Sequence, residues 1–244
     1  MRYYIAPAAW SPDEMLLSGE EAHHLLHVLR SKEQEQVILI DGCGREAVAE
    51  IIETSRKEAR LKVIQQRMAP PPAVALTLIQ ALPREQKMDF IIQKATELGA
   101  RRIVPVLSDN SVVRLKTGED HGKIDRWRKI ALSAAKQSGG LWIPEMEPVQ
   151  SLIDYIPAMP HFDVWMTCSL EPDAQPLREV LHAVRAHRPK SIGFLVGPEG
   201  DLSARELAAA RNGGARMVNL GTHTLRSETA ALYVMSILQY EFSP

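Results

Sequence analysis

Three consecutive prolines, Pro70 to Pro72, divide the chain into two segments with different hydrophobic patterns. Proline lacks the backbone N–H and fixes φ at about −65°, so this run continues neither a helix nor a central strand and favours an extended spacer. We therefore predict one domain over residues 1–72 and a second over residues 73–244. The chain has 244 residues, 45% of them hydrophobic, which is enough to give each domain a core.

The segment before the prolines is predicted to be a small β-rich domain, in the form of a barrel. Residues 36–41 have strand composition, and residues 46–52 and 59–66 alternate between apolar and polar side chains. One helix is expected near the start, over residues 18–30. Ser18 and Glu21 have the spacing of a capping box at its first turn.

The segment after the prolines alternates between apolar strands and amphipathic helices. Helices are predicted over residues 87–100, 123–140, 202–214 and 227–242. Gly99 sits where a C-terminal cap of the first helix belongs, and Ser203 with Glu206 has the spacing of a second capping box. This alternation predicts an α/β domain with a mainly parallel sheet. In such sheets ligands bind at the carboxyl ends of the strands, in the loops that follow them.

Three such loops are candidates for a site, at residues 167–172, 196–203 and 219–230. In the second loop, Glu199 lies between Gly197 and Gly200. A carboxylate about 4 Å from a phosphate costs roughly 1 to 4 kcal/mol, so this glycine-rich turn is poorly suited to a phosphate. It suits a ligand with hydroxyls, an adenine edge or a positive charge, and S-adenosylmethionine has all three. Alternatively, Glu199 only caps the helix that begins near Ser203.

The third loop contains Arg226 immediately before a predicted helix. Ser227 is predicted to be the N-cap of that helix. Arg226 could pair with a nearby acid, or it could hold an anionic or electron-rich substrate beside the ligand loop. The local sequence leaves both interpretations open.

Charge and metal-binding patterns narrow the class of protein. Lysine and arginine exceed aspartate and glutamate by 12 to 7 over residues 82–142, which indicates either a polyanion-binding face or an ordinary solvated surface. His23 and His27 are spaced i, i+4, but no third ligand has convincing spacing, so no metal is predicted. No apolar stretch has the length of a membrane span, and the two cysteines lack metal-type spacing. We expect a cytoplasmic protein with no membrane partner.

Several motifs together carry a resemblance to a known family. "GPEG" at Gly197, "LS" at Leu202, "LG" at Leu220 and "LRSETA" at Leu225 follow "HHLLHVLR" and "KMDFIIQKATELG" upstream. In order and spacing, from His23 to Ala231, they resemble the 16S rRNA uracil-N3 methyltransferases of the SPOUT superfamily. The resemblance implies a PUA-like β-barrel that binds RNA, followed by a SPOUT α/β domain with a C-terminal trefoil knot. It also implies S-adenosylmethionine as cofactor, 16S rRNA of the small ribosomal subunit as substrate, and a homodimer whose RNA site crosses the subunit interface.

Site residues follow from the same resemblance. Arg226 is expected to stabilise the uridine as negative charge develops on it, and Glu199 to position cofactor or substrate. Cofactor contacts are expected from the three loops, at Thr167, Ser169, Leu170, Val196, Gly197, Gly200, Leu220, Gly221, Leu225, Ser227 and Ala230. RNA contacts are expected at the basic residues Arg30, Arg84, Lys87, Lys94 and Arg114.

This chain departs from the family pattern in three places. Asp201 stands where a second glycine is usual, His223 stands where arginine is common, and Gly139 and Gly140 follow "QS" where arginine is usual. The last two remove basic groups near the presumed RNA face. Three alternatives stay open: a methyltransferase of this type acting on another RNA, a nucleotide-dependent α/β enzyme, and a non-enzymatic rRNA-binding or assembly factor. The absence of any Walker-type or dinucleotide-type phosphate loop in the sequence counts against the second.

Overall fold

A computed structural model describes residues 1–84, 87–111 and 119–243, with the backbone alone described at 119–121. The chain divides into two compact units. The first contains residues 1–71 and 132–143, and the second contains residues 72–131 and 144–244. The assignment of 132–143 to the first unit is a feature that the sequence did not indicate.

The first unit is built on a five-stranded sheet. Its strands are β1 (Arg2–Tyr4), β2 (Glu14–Leu17), β3 (Gln36–Ile40), β4 (Arg45–Thr54) and β5 (Ala59–Met68). They lie in the order β1-β3-β4-β5-β2, with β1 parallel to β3 and the other pairs antiparallel. The three predicted strands are confirmed as β3, β4 and β5, and closure of the sheet into a barrel stays a prediction.

The core of this unit is formed by the inward side chains of the alternating strands. Tyr3, Leu17, Leu39 and Leu61 are almost completely buried, together with Leu25 from the helical segment. That segment is the short helix α1 (Gly19–His23), continued by a π-helical turn over His24–Val28. The predicted helix is therefore present but is not a regular α-helix along its length.

The capping box predicted at the start of α1 is wrong. Ser18 is the N-cap residue, but its side chain accepts no hydrogen bond from the helix. Glu21 accepts hydrogen bonds from the backbone N–H of Tyr4 and from Lys136 Nζ at 2.6 Å. The ammonium and the β1 backbone therefore take the carboxylate that the capping box would need.

The second unit begins with β6 (Ala75–Ala81), α2 (Lys87–Glu97), β7 (Arg102–Leu107) and α3 (Glu119–Ser138), whose residues from 132 onward belong to the first unit. There follow β8 (Glu145–Met146), β9 (Gln150–Ser151), α4 (Leu152–Ala158), β10 (Val164–Cys168), β11 (Gln175–Pro176) and α5 (Leu177–Arg185). The last elements are β12 (Ser191–Val196), α6 (Ala204–Asn212), β13 (Arg216–Asn219) and α7 (Ser227–Phe242).

These strands form one eight-stranded sheet, in the order β11-β13-β10-β12-β6-β7-β8, with β9 also paired to β7. Every pairing between its described strands is parallel. The predicted α/β fold is therefore confirmed, while the trefoil knot stays a prediction. Because β13, β10 and β12 are neighbours, the loops at their carboxyl ends meet at one edge of the sheet.

Two predicted helix ends are confirmed with their physical causes. Ser203 Oγ accepts a hydrogen bond from the backbone N–H of Glu206, and the Glu206 carboxylate accepts one from the backbone N–H of Ser203, which completes the second capping box. Gly99, beyond the end of α2, has a φ of 81°. That left-handed conformation carries no Cβ penalty in glycine, which explains the residue type at this helix end.

Candidate cofactor and substrate site

A cavity of about 270 Å³ lies at the carboxyl ends of β10, β12 and β13. It is lined by all three loops singled out in the sequence, at residues 168–170, 196–199, 201, 219–221, 223–227 and 230. The sequence therefore predicted the end of the sheet at which this cavity lies, because the loops that follow neighbouring parallel strands all lie at the carboxyl ends of those strands.

The structure brings most of the predicted cofactor residues together at this cavity. Its lining includes Ser169, Leu170, Val196, Gly197, Leu220, Gly221, Leu225, Ser227 and Ala230. Thr167 is fully buried in β10 and Gly200 lies against Asn110, so neither of these two residues lines the cavity. Binding of a cofactor by the lining residues stays a prediction.

Glu199 lines the cavity, and its carboxylate is held by groups from the start of α2. The backbone N–H of Arg84 donates to both of its oxygens at 3.2 Å, and Lys87 Nζ lies 2.8 Å from Oε1. The same ammonium is 3.5 Å from Glu228 Oε2, on the first turn of α7. Lys87 therefore joins two carboxylates that come from different loops of the site.

These contacts determine how Glu199 and Lys87 titrate. Burial alone would raise the pKa of Glu199, but the hydrogen bonds from Lys87 and from the backbone, with the charge of Lys87, bring it below its usual value. The hydrogen bond to Glu199 raises the pKa of Lys87. Both groups are consequently charged at neutral pH, and Glu199 is a poor proton acceptor there.

Cys168 also lines the cavity, beside the β10 carboxyl end. Burial raises the pKa of its thiol to about 12, with a further contribution from the charge of Asp201. Because the thiolate is the nucleophilic form of cysteine, this residue is unsuited to covalent catalysis at neutral pH.

Asp201 occupies the position where the family usually has glycine, and its backbone explains that preference. Its φ is 58°, in the left-handed region that favours glycine. The Asp201 carboxylate compensates in part, since Oδ1 accepts a hydrogen bond from the backbone N–H of Leu202 at 2.7 Å. The side chain also lines the cavity, so the departure from the family pattern adds a carboxylate to the site.

A buried hydrogen-bond chain connects the central strand of the sheet to two of the loops. Gln80, at the end of β6, is fully buried, and its Nε2 donates to Ala81 O and to Ser227 Oγ, each at 2.9 Å. Ser227 Oγ in turn donates to Gly197 O at 2.7 Å. The prediction that Ser227 caps α7 is wrong, because Arg226 is the N-cap residue. The Ser227 hydroxyl takes part in the buried hydrogen-bond chain instead.

A second buried group holds the 196–203 loop from the other side. Glu206 is 1% exposed, and its carboxylate accepts hydrogen bonds from Ser108 Oγ and from the backbone N–H of Asp109, in addition to its capping contact with Ser203. Ser203 Oγ also lies 2.6 Å from Asp109 Oδ2. The loop after β7 and the glycine-rich turn are thereby held together.

Arg226 lies at the rim of the cavity with an exposed side chain. In the described parts of the chain its guanidinium has no carboxylate partner, so the alternative in which Arg226 merely pairs with an acid is not observed. A guanidinium without an ion-pair partner among the described residues is available to an anionic or electron-rich group of a substrate.

The lining fits S-adenosylmethionine in its chemistry. Leu170, Leu220 and Leu225 supply apolar surface for an adenine ring, and the carboxylates of Glu199 and Asp201 are placed to favour a cationic ligand over a phosphate. Across the described ranges, no group of three or more histidine, cysteine, aspartate or glutamate residues could hold a metal ion. No helix among the described residues is long and apolar enough to cross a membrane.

The predicted RNA contacts are in several different environments. Arg84 contacts Glu199 through its backbone N–H only and is exposed, whereas the Lys87 ammonium is paired with Glu199. Lys94 Nζ is 2.8 Å from Glu97 Oε1, and Arg30 is exposed. Arg114 lies outside the described residues. Trp127, on α3, is 5% exposed and donates from Nε1 to Asp89 Oδ1, so it belongs to the core.

Several residues that line the cavity or support it were not predicted from the sequence. Cys168, Pro198, Asn219 and Thr224 line it and could have been found as immediate neighbours of predicted residues on the same loops. Gln80 gave no such signal, because a single glutamine in an apolar strand has no recognisable pattern.

Comparison with known families matches most of the chain. The family model described as an RNA methyltransferase domain matches residues 70–239, and that of an RNA methyltransferase PUA domain matches residues 17–64. A relative from Bacillus subtilis, ribosomal RNA small subunit methyltransferase E, is 32% identical over 231 residues, which cover 92% of this chain and 89% of the relative.

Solved structures resemble the fold over nearly its whole length. A ribosomal RNA small subunit methyltransferase E from Neisseria gonorrhoeae, bound to S-adenosyl methionine, superposes with a TM-score of 0.86 and 29% identity, covering 98% of this chain and 96% of that one. A putative methyltransferase from Legionella pneumophila, in complex with its cofactor, gives a TM-score of 0.86 at 26% identity with the same coverage.

Proposed function

The chain belongs to the RNA methyltransferase family, and from that premise we propose that it transfers a methyl group from S-adenosylmethionine to N3 of one uridine in 16S rRNA. The observation that carries the proposal is the cavity at the carboxyl edge of the sheet. It combines two carboxylates, apolar surface and an arginine that has no ion pair among the described residues, and the similar structures from Neisseria gonorrhoeae and Legionella pneumophila contain S-adenosylmethionine. The substrate places the reaction in the cytoplasm, where ribosomal subunits are found.

The cofactor would be held by the loops that the buried groups fix in place. Bound S-adenosylmethionine supplies an electrophilic methyl group on a sulfonium centre. Glu199 and Asp201 contribute negative charge toward that cation, and Gly197 and Ser227 line the same wall. Orientation of the methyl group against N3 is the main contribution of such a rigid cradle, worth about 7 to 11 kcal/mol at best.

Arg226 is the residue that would act on the substrate. When N3 gives up its proton to solvent water, negative charge develops on the uracil ring, and an exposed guanidinium at the rim can donate hydrogen bonds to it. The lowered pKa of Glu199 and the raised pKa of Cys168 leave both groups unsuited to accept the N3 proton. Glu199 is therefore assigned a positioning role. The target uridine must be unpaired or flipped out of its stack to reach this cavity.

We also assign a homodimer to the functional form. Phe90, Tyr233 and Tyr240 are 46%, 45% and 85% exposed, and they lie on a groove of about 580 Å³ between α2 and α7. Large apolar side chains grouped on one face of a soluble domain commonly mark an interface. Tyr240→Glu should convert a dimer into a monomer in light-scattering chromatography, and an unchanged mass would contradict this assignment.

The function is tested by mass spectrometry of rRNA from a strain that lacks the gene. One methylated uridine should be absent from 16S rRNA and should return when the native gene is supplied. Arg226→Ala should fail to restore it, whereas Arg178→Ala, an exposed arginine on α5, should restore it fully. An unchanged modification profile in the deletion strain would favour the non-enzymatic assembly factor instead.

A further inference from the structure

A second cavity lies at the opposite edge of the sheet, at the amino ends of β10, β12 and β13. Its volume is about 440 Å³, and its polar lining consists of His161, Asp163, His187, Arg188, Lys190 and Arg216. These residues come from three separate segments, namely the residues before β10, the connection from α5 to β12, and the start of β13. The cavity is therefore built by the fold and is not one run of basic sequence.

The charges in this cavity are unbalanced. Arg188, Lys190 and Arg216 are exposed, and none forms an ion pair with any carboxylate among the residues that the structure describes. Residues 143–244 contain only 8 lysines and arginines against 12 aspartates and glutamates, so three of these scarce cations are collected at one place.

Asp163, the one carboxylate of the lining, does little to neutralise them. Its Oδ2 accepts hydrogen bonds from the backbone N–H groups of Lys190 and Ser191 at 2.6 and 2.9 Å. These bonds lower the pKa of Asp163 and direct its oxygen to the backbone. The carboxylate thus shapes the loop that presents Arg188 and Lys190, and it leaves their side chains without an ion pair in the described part of the chain.

We propose that this cavity is a second binding site for the phosphodiester backbone of the RNA substrate. It is separate from the cavity at the carboxyl ends of the same strands, where the methyl transfer is proposed to occur. Unpaired, exposed arginine and lysine side chains are the groups that neutralise nucleic-acid phosphates. The same three strands connect the two cavities, and the six residues of β12 span about 20 Å at roughly 3.3 Å per residue. With a phosphate about every 3.4 Å along one strand of a double helix, that length corresponds to roughly six nucleotides.

The inference rests on the proposed function, because it takes the RNA substrate from it. Contacts of this kind add affinity without reading sequence. The cavity at the amino ends of the strands would therefore hold rRNA that flanks the target uridine, while the cavity at their carboxyl ends selects the base.

The test compares two double variants that remove equal charge. Arg188→Gln with Lys190→Gln should weaken binding of an rRNA fragment that contains the target, and should reduce the slope of log affinity against log salt by about 1.4, which is roughly 0.7 for each lost single-strand phosphate contact. Arg178→Gln with Arg211→Gln removes two exposed cations elsewhere in the same unit and should change the slope much less. Affinity for S-adenosylmethionine, measured by calorimetry, should be native in both. Arg216→Glu provides an independent variant of the cavity.

A salt slope for the cavity variants equal to that of the control pair would overturn the proposal. It would also be overturned if inorganic phosphate bound to the cavity while loss of Arg188 and Lys190 left RNA affinity unchanged. Failure of the proposed function would look different: the native protein would transfer no methyl group to rRNA, yet the cavity variants would still reduce its affinity for RNA.

Discussion

Replacement of Gln80 by methionine tests whether the buried hydrogen-bond chain organises the cofactor cavity. Methionine has similar length and volume, so packing within the sheet is largely preserved. The variant removes both hydrogen bonds from Nε2, to Ala81 O and to Ser227 Oγ. At about 0.5 to 1.5 kcal/mol each, their loss costs roughly 1 to 3 kcal/mol.

The same replacement also removes an unfavourable group. Gln80 Oε1 is buried and has no hydrogen-bond partner among the described residues, and an unpaired buried polar group costs about 1 to 3 kcal/mol. The two effects oppose each other, so the free energy of unfolding should change by less than about 2 kcal/mol. The cavity, in contrast, loses the contact that orients Ser227 and through it Gly197 O.

Cofactor affinity should therefore fall by roughly tenfold, which corresponds to about 1.4 kcal/mol, while the protein stays folded. Calorimetric titration with S-adenosylmethionine and denaturant unfolding measure the two quantities separately. Thr77→Val removes a buried hydroxyl from the other end of β6 and should leave affinity unchanged. In a double-mutant cycle, Gln80→Met and Ser227→Ala should be non-additive by at least about 0.5 kcal/mol. Native affinity in the Gln80 variant, or full additivity, would refute the reasoning.

Four further variants test the groups that hold the glycine-rich turn. Asp201→Gly should unfold at or above the native temperature and Asp201→Ala below it, because the φ of 58° costs an alanine about 1 kcal/mol or more; equal melting temperatures would contradict this. Glu206→Ala should lose about 2 to 4 kcal/mol of unfolding free energy, since it leaves several donors unpaired and removes the capping box, and a loss under 1 kcal/mol would be inconsistent with the observed contacts. The lowered pKa of Glu199 means that its stabilising contacts are complete above the ordinary carboxyl pKa and are lost as pH falls through the lowered value. Lys87→Met should move that titration to higher pH in carbon-13 NMR of the Glu199 carboxyl group, and an unmoved titration would show that Lys87 is not its cause.

The sequence predicted those structural features that depend only on residues within one short segment. The capping box at Ser203 and Glu206 and the glycine at the end of α2 depend on residues a few positions apart, and both are confirmed. The corresponding prediction at Ser18 was wrong because Lys136, 115 residues from Glu21 in the sequence, takes the same carboxylate. Periodicity carries no information on such a distant partner.

In the candidate site too, features within one segment were predicted, whereas contacts between distant residues were not. The three loops were predicted from strand composition and from the rule that ligands bind at the carboxyl ends of parallel strands. The contact between Lys87 and Glu199 spans 112 residues, and that between Gln80 and Ser227 spans 147. These pairs meet only because β6 lies beside β12 in the sheet, and the strand order cannot be deduced from the alternation of strands and helices.

The role of Glu199 was also clarified by the fold. A carboxylate between two glycines indicated that the turn is unsuited to phosphate, and the structure adds that Lys87 and the backbone at Arg84 hold that carboxylate in place. The residue therefore contributes fixed negative charge to the cavity and is a poor base at neutral pH.

The central claim is tested most directly by incubating the purified protein with methyl-labelled S-adenosylmethionine and 16S rRNA or small subunits, followed by nucleoside analysis. The account predicts label in 3-methyluridine at a single position, with loss of the label in Arg226→Ala and retention in Arg178→Ala. Absence of labelled product with both substrates, or label in a different nucleoside, would contradict it.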